Sequence, residues 1–159
     1  MIVVLDANTI VGDAMFKSER WAQLADAVAE GSLRVIVPRI VVEEAKRNRI
    51  ADRQDLARGL NKAANRASAE AKKHVRAAVD QCLTEARDYP DFLEKKLIAL
   101  GFEIAPTVTV PHDQIAGRAL ARRRPFDESG NGYRDTLALA GFARAGRGRS
   151  ARGLCPGLE

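Results

Sequence analysis

Apolar and polar positions along the chain divide it into short β-rich runs separated by longer stretches of helical period. Residues 2–5, Ile-Val-Val-Leu, form a wholly apolar, mostly β-branched run that suits a strand buried on both faces. Residues 18–29 place Trp21, Leu24, Ala25 and Val28 on one helical stripe, with Ser18 as N-cap and Gly31 just past the end. A second β-rich run, 33–37, is stopped by Pro38, and a helix is expected to start at 40 and run to 48. Residues 51–88, rich in Ala, Arg and Lys, read as one or two helices that Pro90 interrupts. A short helix over 91–100 is then closed by Gly101, and 102–105 is a weaker third strand. The pattern predicts a helix over 112–124, with Asp113 in its first turn, then a polar Gly-containing loop and a last helix over 133–143. Strands alternating with helices predict an α/β fold with a parallel central sheet, in which ligands gather outside the carboxyl ends of the strands.

Composition narrows this picture. The 159 residues are enough for one domain with a real core. No apolar run reaches the roughly 18 residues of a membrane span, and residues 1–8 lack a charged leader, so a soluble, cytoplasmic chain is expected. Two cysteines, Cys82 and Cys155, make neither a disulfide framework nor a zinc spacing, and Cys82 reads as a small apolar core residue. His74 and His112 are isolated and read as surface or capping residues. The net charge is +5, but residues 141–159 hold four Arg and one acid in Gly-rich text, which leaves +2 for residues 1–140. The expected division is a folded domain over 1–140, with a helical insert over 47–100, and a disordered Arg/Gly-rich tail over 141–159.

Three acids fall where a site at the carboxyl edge needs them. Asp6 directly follows the first strand, Glu44 lies early in the helix after the second, and Asp135 lies in the first turn of the last helix. Oxygen ligands of this kind suit Mg²⁺ or Mn²⁺, and three converging carboxylates need a cation to offset their repulsion. Each acid also has a plainer explanation. Asp6 reads equally as the cap of the next segment, Glu43 and Glu44 as solvated dipole partners, and Asp135 as an ordinary first-turn acid.

The segments VVLDANTIVGD (3–13), VPRIVVEEAKRN (37–48) and RALARRRPFDESGNGYRDTLAL (118–139) together resemble the PIN-like domains. The likeness is to a bacterial branch with an Arg-Pro-Phe segment ahead of a Gly-Tyr-Arg-Asp helix, and it covers roughly residues 2–140. It implies a three-layer sandwich around a parallel sheet, and a Mg²⁺- or Mn²⁺-dependent nuclease that hydrolyses the phosphodiesters of RNA with an activated water. By motif position it implies Asp6, Glu44 and Asp135 as catalytic and metal-ligating acids, with Glu44 preferred to Glu43 because Ala45 follows it. Asn8 falls at the family's supporting polar position. The resemblance also admits a toxin held by a protein inhibitor or antitoxin, and a homodimer; the long insert argues against a minimal toxin.

The chain departs from that family beyond residue 140, where a further strand and a fourth acid are usual. GFARAGRGRSARGLCPGLE stands there instead, so the chain is expected to be truncated or read out of frame near Gly141. Reading the gene's other two frames past that codon tests this; finding no strand with an Asp-rich continuation in either rules it out. Arg122, Arg123, Arg124 and Arg134 are candidates for phosphate contacts, against a plainer reading as solvated or ion-paired surface. The basic positions from Lys62 to Arg76 read as a solvated helix face. Two rival functions remain. One is a PIN-like RNA- or protein-binding module impaired in catalysis. The other is a haloacid-dehalogenase-like phosphatase with Asp6 as nucleophile, ranked lower because Asn8 cannot exchange protons.

Overall fold

β2 (Arg34–Pro38) lies in the middle of a parallel sheet, between β1 (Ile2–Val4) and β3 (Glu103–Ala105). Val3 pairs with Val35, and Val37 with Ile104. The computed structural model describes residues 1–66, 68–107, 110–121 and Thr136. Val35, Ile36 and Val37 are fully buried, as a continuous apolar run in a central parallel strand should be. β1 does not follow the expectation of burial on both faces. Val3 packs on the core, but Ile2 and Val4 remain 45% and 42% exposed. A run with no alternation carries no record of which face is covered, and among the described residues β1 is an edge strand.

α1 (Ala7–Gly12) and α2 (Glu19–Ala29) connect β1 to β2. The expected limits of α2 are those observed: Ser18 is its N-cap and Gly31 adopts φ +74°, where a side chain is strained. Trp21 is buried, and Leu24 and Val28 pack beside it.

α3 (Arg39–Ala64) and α4 (Ala69–Ala99) form a helical hairpin between β2 and β3. Both are longer than expected. α4 passes through Pro90, which removes one backbone donor and costs about 3 kcal/mol in a helix interior. Tyr89, Leu93 and Leu97 flank that position and are all buried in the main core, so the halves of the helix on either side of Pro90 are anchored to one body. Gly101, at φ +74°, then ends the helix as anticipated. Its backbone lies so close to α2 that a Cβ would sit 3.1 Å from a Val28 methyl.

The main core joins Leu5, Ile10, Val37, Val42, Leu93 and Leu97 to a file of rings. Phe16 and Trp21 lie 4.6 Å apart between centroids, and Trp21 and Phe102 lie 6.4 Å apart. A smaller cluster, Ala57, Val79 and Cys82, holds the hairpin together beyond that core, so Cys82 is the small apolar residue expected. α5 (His112–Leu120) carries Asp113 in its first turn and buries Ile115. Among the described residues no helix is long and apolar enough to cross a membrane. The region of the expected last helix lies outside the described residues except for Thr136, which is helical and buried. The 141–159 tail and Cys155 lie outside them altogether.

Candidate active site at the carboxyl edge of the sheet

Because β1 and β2 are parallel neighbours, the chain leaves both at the same edge. Leu5 continues the ladder by donating its amide to the Ile36 carbonyl at 3.1 Å, and Asp6 follows immediately. Asp6 has extended backbone (φ −100°, ψ 155°) and caps α1, its Oδ2 accepting the Asn8 amide at 3.3 Å. The plain reading of Asp6 as a cap is therefore correct as far as it goes. Capping uses one carboxylate oxygen and leaves the side chain exposed at the sheet edge. Ala7 and Ile10, buried beneath α1, hold that helix and its cap in place. Asn8 supports Asp6 through its backbone amide, while the residue itself is exposed.

α3 begins at Arg39, directly after β2, and packs against α1. Glu44 lies in the second turn of α3, half-buried, beside the fully buried Ala45. Glu43 turns to a different neighbourhood. Its Oε1 accepts from Lys46 Nζ at 2.9 Å and lies 3.6 Å from Arg39 Nη1. Glu43 is exposed, as expected of a solvated dipole partner, and is in addition an ion-pair partner.

Lys46 and Arg39 also reach across to Glu94 on α4, at 2.5 and 2.7 Å. The Lys46 hydrogen bond is the main reason the Glu94 carboxyl is held below its ordinary range, and Arg39 adds to it. Burial pulls the Lys46 ammonium down, but hydrogen bonds and charge from Glu94 and Glu43 together hold it above its usual value. The i,i+3 and i,i+4 spacings of Glu43 were visible in the sequence; Glu94, on a separate helix, was not.

A second feature the sequence reading missed is Asp13, just after α1. Its carboxylate accepts the Ser18 hydroxyl at 2.6 Å, the Ser18 amide at 2.8 Å, the Lys17 amide at 3.1 Å and the Trp21 indole N–H at 2.9 Å. Ser18, first through its hydroxyl and then its amide, does most to hold this carboxyl far below the ordinary range. Asp13 fixes the turn from α1 to α2, in which Phe16 takes a left-handed φ of 54° while buried against Trp21. An Asp five residues before the N-cap Ser and eight before a Trp was the available signal.

Asp135, Arg122, Arg123, Arg124 and Arg134 lie outside the described residues. Thr136, next to Asp135, was not singled out from sequence, yet it is 6% exposed and stands in a helix. Among the described residues no three His, Cys, Asp or Glu side chains group together to hold a metal ion. Asp6 follows β1 and Glu44 lies early in the helix after β2, and carboxylate oxygens are the donor chemistry that Mg²⁺ or Mn²⁺ prefers.

No curated protein and no solved structure matches the chain. The family model of the PIN domain matches residues 3–144, from β1 to beyond the last expected helix. The chain therefore belongs to the PIN domain family, whose members are in general nucleases that work with divalent metals.

Proposed function

We propose that this chain is a divalent-metal-dependent phosphodiesterase that cuts RNA, with Asp6, Glu44 and Asp135 as its catalytic and metal-holding acids. The observation that carries the reading is the position of Asp6: exposed at the carboxyl end of β1, its orientation favoured by the Asn8 amide, beside the helix that bears Glu44. Mg²⁺ or Mn²⁺ at such acids supplies a water of lowered pKa and offsets charge that develops on the phosphate. The residues of the chain do the rest. Asp6 and Glu44 contribute oxygen donors from two separately anchored elements, and Asp135 is assigned the same role by its place in the family motif. The Asn8 amide favours one orientation of Asp6, so less ordering is required when substrate arrives. Glu43 pairs with Lys46 and Arg39 and is left out of this set by its place in the family motif.

The test is cleavage of single-stranded and structured RNA with Mg²⁺ or Mn²⁺ titrated, comparing the full chain with Asp6→Asn, Glu44→Gln and Asp135→Asn. Asp6→Asn is the most informative of the three, because Asn caps a helix about as well as Asp and the fold keeps its N-cap. A fall in rate of about 100-fold or more is expected at unchanged thermal stability. Cleavage that survives Asp6→Asn unchanged overturns the assignment. RNA binding with no metal-dependent cleavage assigns the chain to the binding-module reading instead.

A further inference from the structure

The far end of the α3–α4 hairpin differs in charge from the rest of the molecule. Residues 56–79 contain six Lys or Arg and a single acid, Glu70. That local excess of five positive charges equals the net charge of the whole chain. The sequence spreads these cations along two helices, where each resembles part of a solvated face. Folding the hairpin brings the end of α3 and the start of α4 together around one concavity of about 480 Å³. Asn61, Lys62, Ala64, Asn65, Lys72 and Arg76 line it, giving three cations, two carboxamides and no acid.

Pairing is uneven among the described cations: Lys17, Arg20, Arg47, Lys95 and Lys96 have no ion pair, but they do not gather around one concavity as those at the tip do. Toward the sheet, Arg34, Arg39, Lys46, Arg49 and Arg53 each meet a carboxylate. At the tip, Arg58 pairs with Asp55 and Lys73 with Glu70. Among the described residues, Lys62, Arg66, Lys72 and Arg76 have no ion pair or side-chain hydrogen bond; Lys72 is half-buried. Like charges gathered around a concavity repel one another until an anion sits among them.

We infer that the tip of the α3–α4 hairpin is a second nucleic-acid contact, a cradle for the phosphates of the strand whose cleavage is assigned to the carboxyl edge. The identity of the polymer rests on the nuclease reading above; the anion-binding chemistry rests on the tip itself. A strand fits better than a lone phosphate, because three cations line the concavity and unpaired positive charge continues past it to Arg66, next to the lining residue Asn65. Glu44 and Lys62 are 18 residues apart on one helix, or ~27 Å along its axis. A stacked strand rising 3.4 Å per residue covers that distance in about eight nucleotides. The tip therefore selects for substrate length: an oligonucleotide of a few residues can occupy only one of the two sites at a time, and longer ones engage both.

The experiment is fluorescence anisotropy of labelled single-stranded RNA with the full chain, without divalent cation, across a salt series. The variant carries Lys62→Glu, Lys72→Glu and Arg76→Glu together; Lys95→Glu, elsewhere on α4, is the charge control. For an RNA of about 20 nucleotides the triple variant should raise Kd at least ~10-fold and reduce the log–log salt slope by about 2, at ~0.7 per phosphate contact. For an RNA of about four nucleotides, which engages only part of the tip, the parent should bind much more weakly and the variant's effect should be smaller, and Lys95→Glu should leave both lengths unaffected. A triple variant that binds the long RNA within about twofold of the parent, or a parent that does not bind it, overturns the inference. Displacement of both RNAs by inorganic phosphate, regardless of length, assigns the concavity to a free phosphate and also overturns it. A folded parent that binds through the tip but never cleaves removes the nuclease reading and leaves the tip assignment standing. Intact cleavage with tip-independent binding does the reverse.

Discussion

At its base the α3–α4 hairpin puts Val41, Val42, Ala45, Tyr89, Leu93 and Leu97 into the core beneath the sheet. Near its tip the same two helices are held by Ala57, Val79 and Cys82, with Leu60 and Val75 at their margins. The charges change along the same axis. Arg39 and Lys46 are neutralised by Glu43 and Glu94 at the base, while Lys62, Lys72 and Arg76 share a concavity without an acid at the tip. Helical periodicity alone shows a run of separate helices over 40–100, with nothing to mark one part of it from another. What separates the ends of the hairpin is the presence of a sheet beneath one of them. A helix end with little core to bury gains little from apolar residues and is free to carry charge for a partner.

The largest expected effect tests that difference directly. Leu93→Ala removes a fully buried side chain from the main core and should cost about 2–5 kcal/mol. Val79→Ala, at the small cluster, should cost about 1–2 kcal/mol, because it removes fewer methyl groups from a site with less around it to leave empty. Urea denaturation of both variants gives the comparison. Equal losses would show that base and tip are one cooperative core.

The fold was legible from the sequence wherever a local signal decides the structure. The three β-rich runs became the three strands, Ser18 and Gly31 bracket α2, and Gly101 ends α4. Cys82 was placed inside by type alone, and Trp21, read onto the apolar stripe of α2, is buried there. Pro90 misled because its local penalty is real, while the packing of Tyr89, Leu93 and Leu97 that offsets it is tertiary. The exposed face of β1 was hidden because Ile2 and Val4 are as apolar as Val3. At the site, Asp6 and Glu44 could be assigned to one edge because alternating strands and helices imply a parallel sheet. Choosing Glu44 over Glu43 needed the family resemblance, and the ion pairs of Glu43 with Lys46 and Arg39 come from local spacing on the helix. Asp13 and Glu94 escaped notice because their partners are fixed by a turn and by a second helix.

A smaller effect concerns acid. Glu94 at the base has its folded-state carboxyl held down, first by its hydrogen bond from Lys46, and Asp13 is held down first by Ser18. A depressed folded-state value means that the stabilisation is complete above the unfolded value and is lost as pH falls through the folded one. Stability should therefore decline once pH drops below the ordinary carboxylate range, with the change originating at the sheet side of the molecule. In Glu94→Gln the decline should be shallower, as measured by urea midpoints between neutral pH and about pH 3. An unchanged slope in that variant would move the acid response away from the base of the hairpin.

The smallest expected effect runs against the idea that the base is optimised throughout. Tyr89 is 4% exposed, and its hydroxyl has no hydrogen-bond partner among the described residues. Burial pushes this phenol above its ordinary pKa, and the Arg49 guanidinium, 6.0 Å from the ring centroid, pulls only weakly the other way. A buried hydroxyl without a partner has lost its hydration and gained nothing in return, whereas the ring around it packs against Phe92, 6.0 Å between centroids. Tyr89→Phe keeps the ring and removes the orphaned group, so it should be neutral or stabilise by up to about 1 kcal/mol in urea denaturation. Ser, Thr or Asn at this position would discard the ring and cost far more, which separates the packing role from the hydroxyl. A loss of more than about 1 kcal/mol in Tyr89→Phe would mean that the hydroxyl is hydrogen-bonded in the folded chain. The base of the hairpin would then be anchored by a polar contact as well as by its apolar core, and its contrast with the charged tip would be sharper still.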